Sequence, residues 1–180
     1  MPQPNNIILV GFMASGKSHV GRILSRRTGR LLVDADTEIV NRAGQSIDRI
    51  FAQEGEATFR ALEREVIAEL CAGSGWIIAA GGGAFVDPDN RAALLSAGAV
   101  FCLQARPETI YRRLREDVAA GQPTRPLLTG PDPLGQIREL LQQREDAYRQ
   151  AHHCIDTDDL TPEEVTGRVL QLLSLGVARQ

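Results

Sequence analysis

Residues 11–18 read Gly11-Phe12-Met13-Ala14-Ser15-Gly16-Lys17-Ser18 and match the spacing G-x-x-x-x-G-K-[S/T]. The apolar run 7–10 precedes this loop, and Val20, Ile23 and Leu24 follow it at helical spacing. A glycine loop between a strand and a helix presents backbone N–H groups that suit phosphate oxygens. A plain glycine turn would leave the adjacent lysine and serine unexplained. The stretch therefore predicts a site for nucleotide phosphates.

Lys17 and Ser18 are the residues of this loop with side-chain chemistry of their own. At these positions the lysine reaches the β- and γ-phosphates of a nucleotide, and the hydroxyl binds Mg²⁺. The loop therefore predicts a nucleoside triphosphate and magnesium as ligands.

The 180 residues suffice for one domain whose core needs no disulfide or metal, and we expect a single domain over residues 1–180. The formal net charge of −3 argues against a general nucleic-acid binder, which would carry a basic balance. An anionic ligand must therefore be held by local arginines and backbone amides. We expect a monomer without a nucleic-acid partner.

Cys71, Cys102 and Cys154 stand far apart in the sequence and are odd in number. This usage is typical of buried thiols in a reducing compartment, and not of a disulfide framework or a zinc site. The first six residues lack the basic start and apolar run of a secretory signal, and no segment has the length of a membrane span. We therefore expect a cytoplasmic protein without a membrane partner.

Short apolar runs alternate with helical patterns along the chain. Strands are expected near residues 7–10, 31–33, 76–80, 99–103 and 154–155. Helices are expected at about 17–27, 36–52 with a break near Gly44, 56–72, 88–96, 107–118, 134–150 and 162–174. The alternation predicts an α/β fold with a parallel sheet covered on both faces. Residues 119–133, rich in proline and glycine around Arg125, predict a mobile lid over a phosphate site.

Asp34 and Asp36 follow the second expected strand. Ligands of open α/β sheets bind beyond the carboxyl ends of the strands, so both carboxylates should face the crevice of the glycine loop. In an extended chain, residues two apart share one side. One carboxylate would then bind the metal, directly or through water, and the other would contact a substrate hydroxyl. Alternatively, Asp36 caps a helix that starts at Thr37, and Asp34 is a turn residue.

Arg60 lies beside an apolar stripe of the helix that begins near Glu56, and Glu63 follows three residues later. This spacing allows the carboxylate to orient the guanidinium. An exposed ion pair, worth less than ~1 kcal/mol, is the plainer alternative, and spacing alone does not separate the two.

Gly81, Gly82 and Gly83 directly follow a buried strand. Glycine costs chain entropy and contributes no side-chain packing. A simple connection to the next helix needs only one of them. Three in succession favour a place where a ligand presses against the backbone.

Arg144 occupies the apolar stripe of the helix expected at 134–150. Burial of an unpaired charge is costly, so the side chain either extends to water or contacts an anion in the cleft. The nearby kinase-type loop favours the anion.

These features together resemble the shikimate kinase family, within the nucleoside-monophosphate-kinase branch of P-loop folds. The resemblance covers nearly the whole chain. It rests on GFMASGKS at 11–18, D-x-D at 34–36, Phe59-Arg60 with Glu63, Gly81-Gly82-Gly83, Arg125-Pro126-Leu127-Leu128, and Arg144 with Tyr148. It implies a three-layer P-loop kinase fold with a five-stranded parallel sheet, a helical substrate-binding region at about 34–62 and a mobile lid at about 113–128.

The resemblance also implies an activity. This is the ATP-dependent phosphorylation of a shikimate hydroxyl, which gives shikimate 3-phosphate and ADP in aromatic amino-acid biosynthesis. ATP and Mg²⁺ would be the cofactors, and shikimate the small-molecule partner. Phosphoryl transfer depends on positioning and charge neutralisation, which agrees with arginines placed to pair with a carboxylate.

Residue roles follow from the same resemblance. Lys17, Asp36 and Arg125 would be catalytic, with Asp36 on the reacting hydroxyl and Arg125 carried to the phosphates by the lid. Magnesium would be held by Ser18 and, through water, by Asp34. The substrate would contact Asp36, Arg60, Gly81, Gly82, Gly83 and Arg144, the two arginines binding its carboxylate. The nucleotide would contact Gly11, Ala14, Ser15, Gly16, Lys17, Ser18, His19, Arg113, Arg125 and Pro162.

Arg113 and Pro162 would flank the adenine. Two positions depart from the family pattern. Ala14 stands where many members carry glycine, which costs about 1 kcal/mol if the position needs a positive φ. His19 stands where threonine is usual, which removes one hydroxyl contact to the phosphates. Both departures would tune ATP affinity without changing the reaction.

Two other functions fit part of the pattern. A gluconate- or cyclitol-acid-type kinase would share the glycine loop and the architecture. A non-catalytic nucleotide-dependent switch would share the loop alone. The D-x-D with Arg60 and Arg144 favours shikimate, while a hydroxyl-directed Asp36 and a lid arginine argue against a switch.

Overall fold

The structure, a computed structural model, describes residues 6–121 and 128–177. Within these residues one sheet contains β1 (Asn6–Val10), β2 (Leu32–Asp34), β3 (Ile77–Ala79), β4 (Gly98–Gln104) and β5 (His153–Asp156). The strands lie in the order β2-β3-β1-β4-β5, and every neighbouring pair is parallel. The predicted five-stranded parallel sheet is confirmed.

Helices connect the strands. They are α1 (Lys17–Thr28), α2 (Ala35–Ala43), α3 (Ile47–Gln53), α4 (Gly55–Ala72), α5 (Pro88–Ala97), α6 (Pro107–Ala119), α7 (Pro133–Tyr148) and α8 (Pro162–Val177), with a 3₁₀ turn at Ala84–Val86. Gly44, at a left-handed φ of 65°, ends α2, and the Ser46 hydroxyl accepts a hydrogen bond from the Arg49 N–H at the start of α3. The break predicted near Gly44 is confirmed.

Strand β1 divides the helices between the two faces of the sheet. Ile8 and Val10 belong to the apolar cluster that includes side chains of α2 to α7. Ile7 and Leu9 belong to the cluster formed with α1 and α8. All four side chains are buried, which explains why the strand is a continuous apolar run.

The chain order of the strands creates a crevice at the end of β1. From β1 the chain passes to β2 and β3 on one side, and then to β4 on the other. Such a change of direction opens a ligand crevice at the carboxyl ends of the central strands. The glycine loop, Asp34 and Gly81 each lie at or just after the end of one of these strands.

The predicted lid at 113–128 begins inside a helix. Residues 113–119 of the range 113–128 belong to helix α6 and are not a loop. Arg125, with the rest of residues 122–127, lies outside the described residues. Over the described ranges, no helix combines the length and the apolar character that a membrane crossing needs.

The cysteines differ from their predicted burial. Cys102 is buried, Cys71 is half-buried and Cys154 is exposed. The predicted burial is therefore confirmed for Cys102, is only partial for Cys71, and is wrong for Cys154, which lies on the edge strand β5. Cys102 and Cys154 are register partners between β4 and β5, although they are distant in the sequence. Burial raises the pKa of Cys102 to about 12, so this thiol stays protonated at neutral pH.

Candidate active site

The glycine loop between β1 and α1 is tightly folded. Gly11 and Gly16 have φ values of 134° and 101°, which favour glycine. A Cβ on Gly11 would clash with the carbonyl oxygen of Leu103, so a larger residue does not fit. Gly16 is the N-cap of α1, and the first turn behind it has N–H groups that the helix leaves unpaired. These are the donors a phosphate group needs.

Ala14 adopts the left-handed conformation that its glycine counterpart would favour, with a φ of 57°. Alanine at this position was expected to cost about 1 kcal/mol in stability if φ were positive, and this cost therefore applies. Its carbonyl oxygen accepts a hydrogen bond from Arg113 Nη1 at 3.3 Å. The strained residue thus links the loop to helix α6.

The Lys17 ammonium lies at the centre of the loop. Its Nζ donates hydrogen bonds to the carbonyl oxygens of Gly11 and Phe12, each at 2.8 Å. Burial lowers the pKa of Lys17 from 10.5 to about 8, and the negative charges of Asp36 and Asp34 oppose this shift. The side chain is therefore a cation at neutral pH, close to its titration range.

A cavity of about 710 Å³ adjoins the loop, a size that suits a nucleotide. Among the residues lining it are Ala14, Ser15, Gly16, Lys17, Ser18, His19, Arg113, Thr157 and Pro162. Apart from Gly11 and the undescribed Arg125, every residue predicted to contact the nucleotide lines this cavity.

Arg113 joins three parts of the cavity wall. From helix α6, its guanidinium donates to the Thr157 hydroxyl at 3.1 Å and to the Thr157 carbonyl oxygen at 2.8 Å, in addition to its bond with Ala14. Thr157 follows β5 and was not identified from the sequence, where no pattern distinguishes it from a loop residue.

Asp34 and Asp36 reach the crevice in a different way from the one predicted. Helix α2 begins at Ala35, so the extended geometry expected here is wrong. Asp34 is the helix cap, and its Oδ1 accepts a hydrogen bond from the Thr37 N–H at 3.0 Å. Asp36 lies in the first helical turn, so the alternative in which Asp36 is the cap is also wrong. The negative charges of both carboxylates raise the pKa of Lys17, so both belong to the electrostatic surroundings of its ammonium.

The three glycines at 81–83 each leave space for a different charged side chain. A Cβ on the first would lie 2.6 Å from Asp36 Oδ1, on the second 3.5 Å from Arg144 Nη1, and on the third 2.9 Å from Arg60 Nη1. None of the three has a positive φ. Close approach therefore explains Gly81 and Gly83, whereas a Cβ on Gly82 would make only ordinary van der Waals contacts.

Arg60 is held by two carboxylates on its own helix. Its Nη1 donates to Glu63 Oε2 at 2.8 Å, and its Nη2 donates to Glu56 Oε1 at 3.2 Å. The Glu63 side chain is only 2% exposed, and burial raises its pKa although Arg60 opposes that shift. This buried partner favours the interpretation in which Glu63 orients the guanidinium over that of an exposed ion pair.

Arg144 turns inward from helix α7. Its Nη1 donates to the carbonyl oxygen of Gly82 at 3.1 Å, and its guanidinium lies 5.2 Å from the centre of the Phe12 ring. Tyr148 donates to the same carbonyl at 2.6 Å. No role for Phe12 or for the Tyr148 hydroxyl was predicted from the sequence. The position of Tyr148, four residues after Arg144 on one helical face, was the available signal.

The crevice therefore has two chemically different halves. One half is the nucleotide cavity around the glycine loop. The other combines two guanidinium groups, from Arg60 and Arg144, with the Asp36 carboxylate along one glycine backbone. Lys17 lies near Asp36, where the halves adjoin. Such a site can bind a small carboxylic acid with hydroxyl groups beside a nucleotide.

Known proteins similar to this chain agree with that chemistry. A family model described as shikimate kinase matches residues 13–174. The shikimate kinase of Symbiobacterium thermophilum is 46% identical over 169 residues, which are 93% of this chain and 95% of that protein. The chain belongs to the shikimate kinase family. The family identified from the sequence motifs is thereby confirmed.

The fold agrees with this membership. A solved structure of shikimate kinase from Acinetobacter baumannii in complex with shikimate has a TM-score of 0.87 and 36% identity, covering 96% of this chain and 94% of that one. The predicted P-loop kinase fold and the predicted shikimate-phosphorylating enzyme of aromatic amino-acid biosynthesis are confirmed. ATP is the co-substrate that family membership implies.

A gluconokinase from Sinorhizobium meliloti is also similar, with a TM-score of 0.60 and 18% identity over 97% of this chain and 94% of that one. At this identity the likeness extends to the fold alone. A gluconate kinase therefore shares the architecture of this chain, as expected from the sequence. The likeness gives no further support to a gluconate kinase function.

Proposed function

We propose that this protein transfers the γ-phosphoryl group of ATP to a hydroxyl of shikimate, in the crevice between the glycine loop and residues 81–83. The main support for the proposal is that three successive glycines face three charged side chains: Gly81 faces Asp36, Gly82 faces Arg144 and Gly83 faces Arg60. Guanidinium groups form charge-assisted hydrogen bonds with a carboxylate, and Asp36 can accept one from a hydroxyl. Shikimate carries both groups.

The two arginines are proposed to bind the carboxylate of the substrate. Glu63 holds Arg60 through a hydrogen bond of 2.8 Å, and the Gly82 carbonyl and the Phe12 ring hold Arg144. Because both guanidinium groups are already restrained, binding costs less side-chain entropy.

Asp36 is proposed to orient the reacting hydroxyl and to accept its proton. The hydroxyl oxygen then bonds to the γ-phosphorus as the bond from phosphorus to the bridging oxygen of ADP breaks. Lys17 neutralises charge on the transferring group. The electrostatic effect of Asp36 on Lys17 supports this arrangement, since the hydroxyl and the phosphates must be neighbours.

Magnesium fits the oxygen donors of the crevice. Ser18 lines the nucleotide cavity, and the negative charge of Asp34 acts on Lys17. Mg²⁺ prefers oxygen ligands and keeps several waters, which suits an indirect contact with Asp34. When bound, the ion would supply charge neutralisation on the phosphates.

Further assignments complete the proposal. Arg113 and Pro162 would flank the adenine, which their place in the cavity wall supports. We propose that residues 1–180 form one domain with a substrate-binding region at 34–62 and a lid that carries Arg125. We also propose a monomer without membrane partners. The net charge of −3 supports the absence of a nucleic-acid partner, and the cysteine usage supports a cytoplasmic location.

ADP release with and without shikimate tests the proposal, together with Arg144→Lys. Lysine keeps the charge but loses the planar fork that matches a carboxylate. We expect the KM for shikimate to rise roughly ten- to hundredfold, and the KM for ATP to change much less. Arg149→Lys, an exposed position on the same helical region, is the matched control and should leave both constants unchanged.

Three results would contradict the proposal. They are ADP release that does not depend on shikimate, faster release with gluconate than with shikimate, and an effect of Arg144→Lys on the KM for ATP alone.

A further inference from the structure

The hydroxyl of Tyr148 contacts the same atom as Arg144. The phenol donates to the carbonyl oxygen of Gly82 at 2.6 Å, and Arg144 Nη1 donates to it at 3.1 Å. We propose that Tyr148 is a positioning residue for the substrate acid, because it holds the Gly82 carbonyl and, through that carbonyl, the Arg144 guanidinium. The inference rests on the proposed role of Arg144 in binding the carboxylate.

The middle peptide of the glycine run is held differently from its neighbours. The Gly81 carbonyl accepts a hydrogen bond from the Ala84 N–H at 3.1 Å, and the Gly83 carbonyl accepts one from the Val86 N–H at 3.0 Å. The hydrogen bonds to the Gly82 carbonyl come instead from two side chains of helix α7. Because glycine has the widest choice of backbone conformations, the orientation of this peptide depends on α7.

Gly82 also separates the two halves of the crevice. A Cβ on it would lie 3.4 Å from the Met13 backbone nitrogen and 3.7 Å from the Gly11 carbonyl oxygen. The same Cβ would lie 3.5 Å from Arg144 Nη1, so Arg144 and the glycine loop border Gly82 together. Because Arg144 Nη1 also donates to the Gly82 carbonyl, a tilt of this peptide moves the acceptor that Arg144 uses.

Tyr148 is suited to a constant donor role. The residue is 3% exposed, and burial raises the pKa of its phenol to about 12, so the proton is present at every pH at which the enzyme would work. The ring packs in the apolar core, and phenylalanine would keep that packing. The Gly82 carbonyl would still accept a bond from Arg144, so the substitution leaves no unpaired buried acceptor.

Tyr148→Phe removes the hydroxyl and little else. We expect the KM for shikimate to rise roughly three- to tenfold, the range for losing one neutral hydrogen bond, with kcat and the KM for ATP nearly unchanged. Tyr111→Phe is the matched control, since Tyr111 is the other of the two tyrosines and lies on α6, with Arg115 over its ring. It should leave all three constants unchanged, and thermal unfolding checks that both variants are folded.

A double-mutant cycle separates positioning from general structural support. In an Arg144→Lys background, Tyr148→Phe should no longer raise the KM for shikimate, because lysine lacks the fork that contacts the carbonyl and the substrate together. A purely structural tyrosine would have the same effect in both backgrounds. That result, or an unchanged KM in the single variant, would overturn the inference.

The outcomes also distinguish this inference from the proposed function. If Arg144→Lys raises the KM for shikimate and Tyr148→Phe does not, only the role of Tyr148 is wrong. If Arg144→Lys leaves that KM unchanged, the carboxylate-binding role of Arg144 and the inference built on it are both wrong.

Discussion

Gly81→Ala tests the acid half of the crevice directly, because the new methyl group would press against Asp36. Its Cβ would lie 2.6 Å from Asp36 Oδ1, whereas Glu63 Oε1 would remain 3.4 Å away. The carboxylate must therefore retreat by most of an ångström. Gly81 does not have a positive φ, so the alanine adds no backbone strain.

The expected effect follows from the position of Asp36 at the reacting hydroxyl. A misplacement of ~1 Å at a reacting group can cost about a hundredfold in rate. We expect kcat to fall roughly ten- to hundredfold, which corresponds to about 1.4–2.7 kcal/mol in the activation free energy. The KM for ATP should stay unchanged, because Gly81 does not line the nucleotide cavity.

Steady-state ADP release over a matrix of shikimate and ATP concentrations gives both constants. Gly167→Ala is the control of identical chemistry, since a Cβ on Gly167 in helix α8 would have no atom within 4 Å. This variant should keep full activity and gain about 0.5–1 kcal/mol in unfolding free energy, because alanine is the better helix former.

A kcat for Gly81→Ala within about twofold of the parent value, in a folded protein, would refute the placement of Asp36 at the hydroxyl. A change confined to the KM for ATP would instead place Gly81 on the nucleotide side of the crevice.

Two further predictions concern the glycine loop. Lys17→Met should abolish turnover and stabilise the ligand-free protein at pH 7, because burial of the ammonium, which lowers its pKa to about 8, opposes folding. Between pH 8 and 10.5 the unfolded chain binds more protons than the folded one, so the parent protein gains stability as the pH rises. The difference in unfolding free energy between Lys17→Met and the parent, measured by urea unfolding, should therefore narrow over this range. A difference that stays constant would contradict the lowered pKa of Lys17. Ala14→Gly should raise the unfolding free energy by up to about 1 kcal/mol by relieving the φ of 57°. The KM for ATP of Ala14→Gly should stay unchanged, since the contact with Arg113 uses the backbone carbonyl of residue 14. A lower unfolding free energy in urea would instead show that the Ala14 methyl group contributes to packing.

Features that depend on neighbouring residues were predictable from the sequence. The apolar run 7–10 is the central strand, because a strand covered on both faces needs an apolar side chain at every position. Gly44 divides two helices, because its left-handed conformation ends the first. The spacing at 11–18 sufficed for the phosphate loop, since one strand, one loop and one helix N-terminus build it.

Predictions from the sequence were wrong where the outcome depended on the exact position of one residue. Helix α2 begins at Ala35, which makes Asp34 the cap and moves Asp36 into the helical turn. Composition near Thr37 allowed either start, since aspartate suits a cap and a first turn alike. Cys154 was expected to be buried, yet on the edge strand β5 it is exposed whereas its neighbour Ile155 is buried. Four residues do not encode which face of an edge strand is covered.

The strands and helices, the phosphate loop and the run of three glycines were predictable from local patterns in the sequence. Three-dimensional packing was needed to show which charge each glycine faces, and that Tyr148 and Arg144 share the carbonyl of Gly82, 66 and 62 residues away in the chain. Periodicity and turn chemistry act over a few residues, whereas this contact exists only after helix α7 has packed against the segment that follows β3.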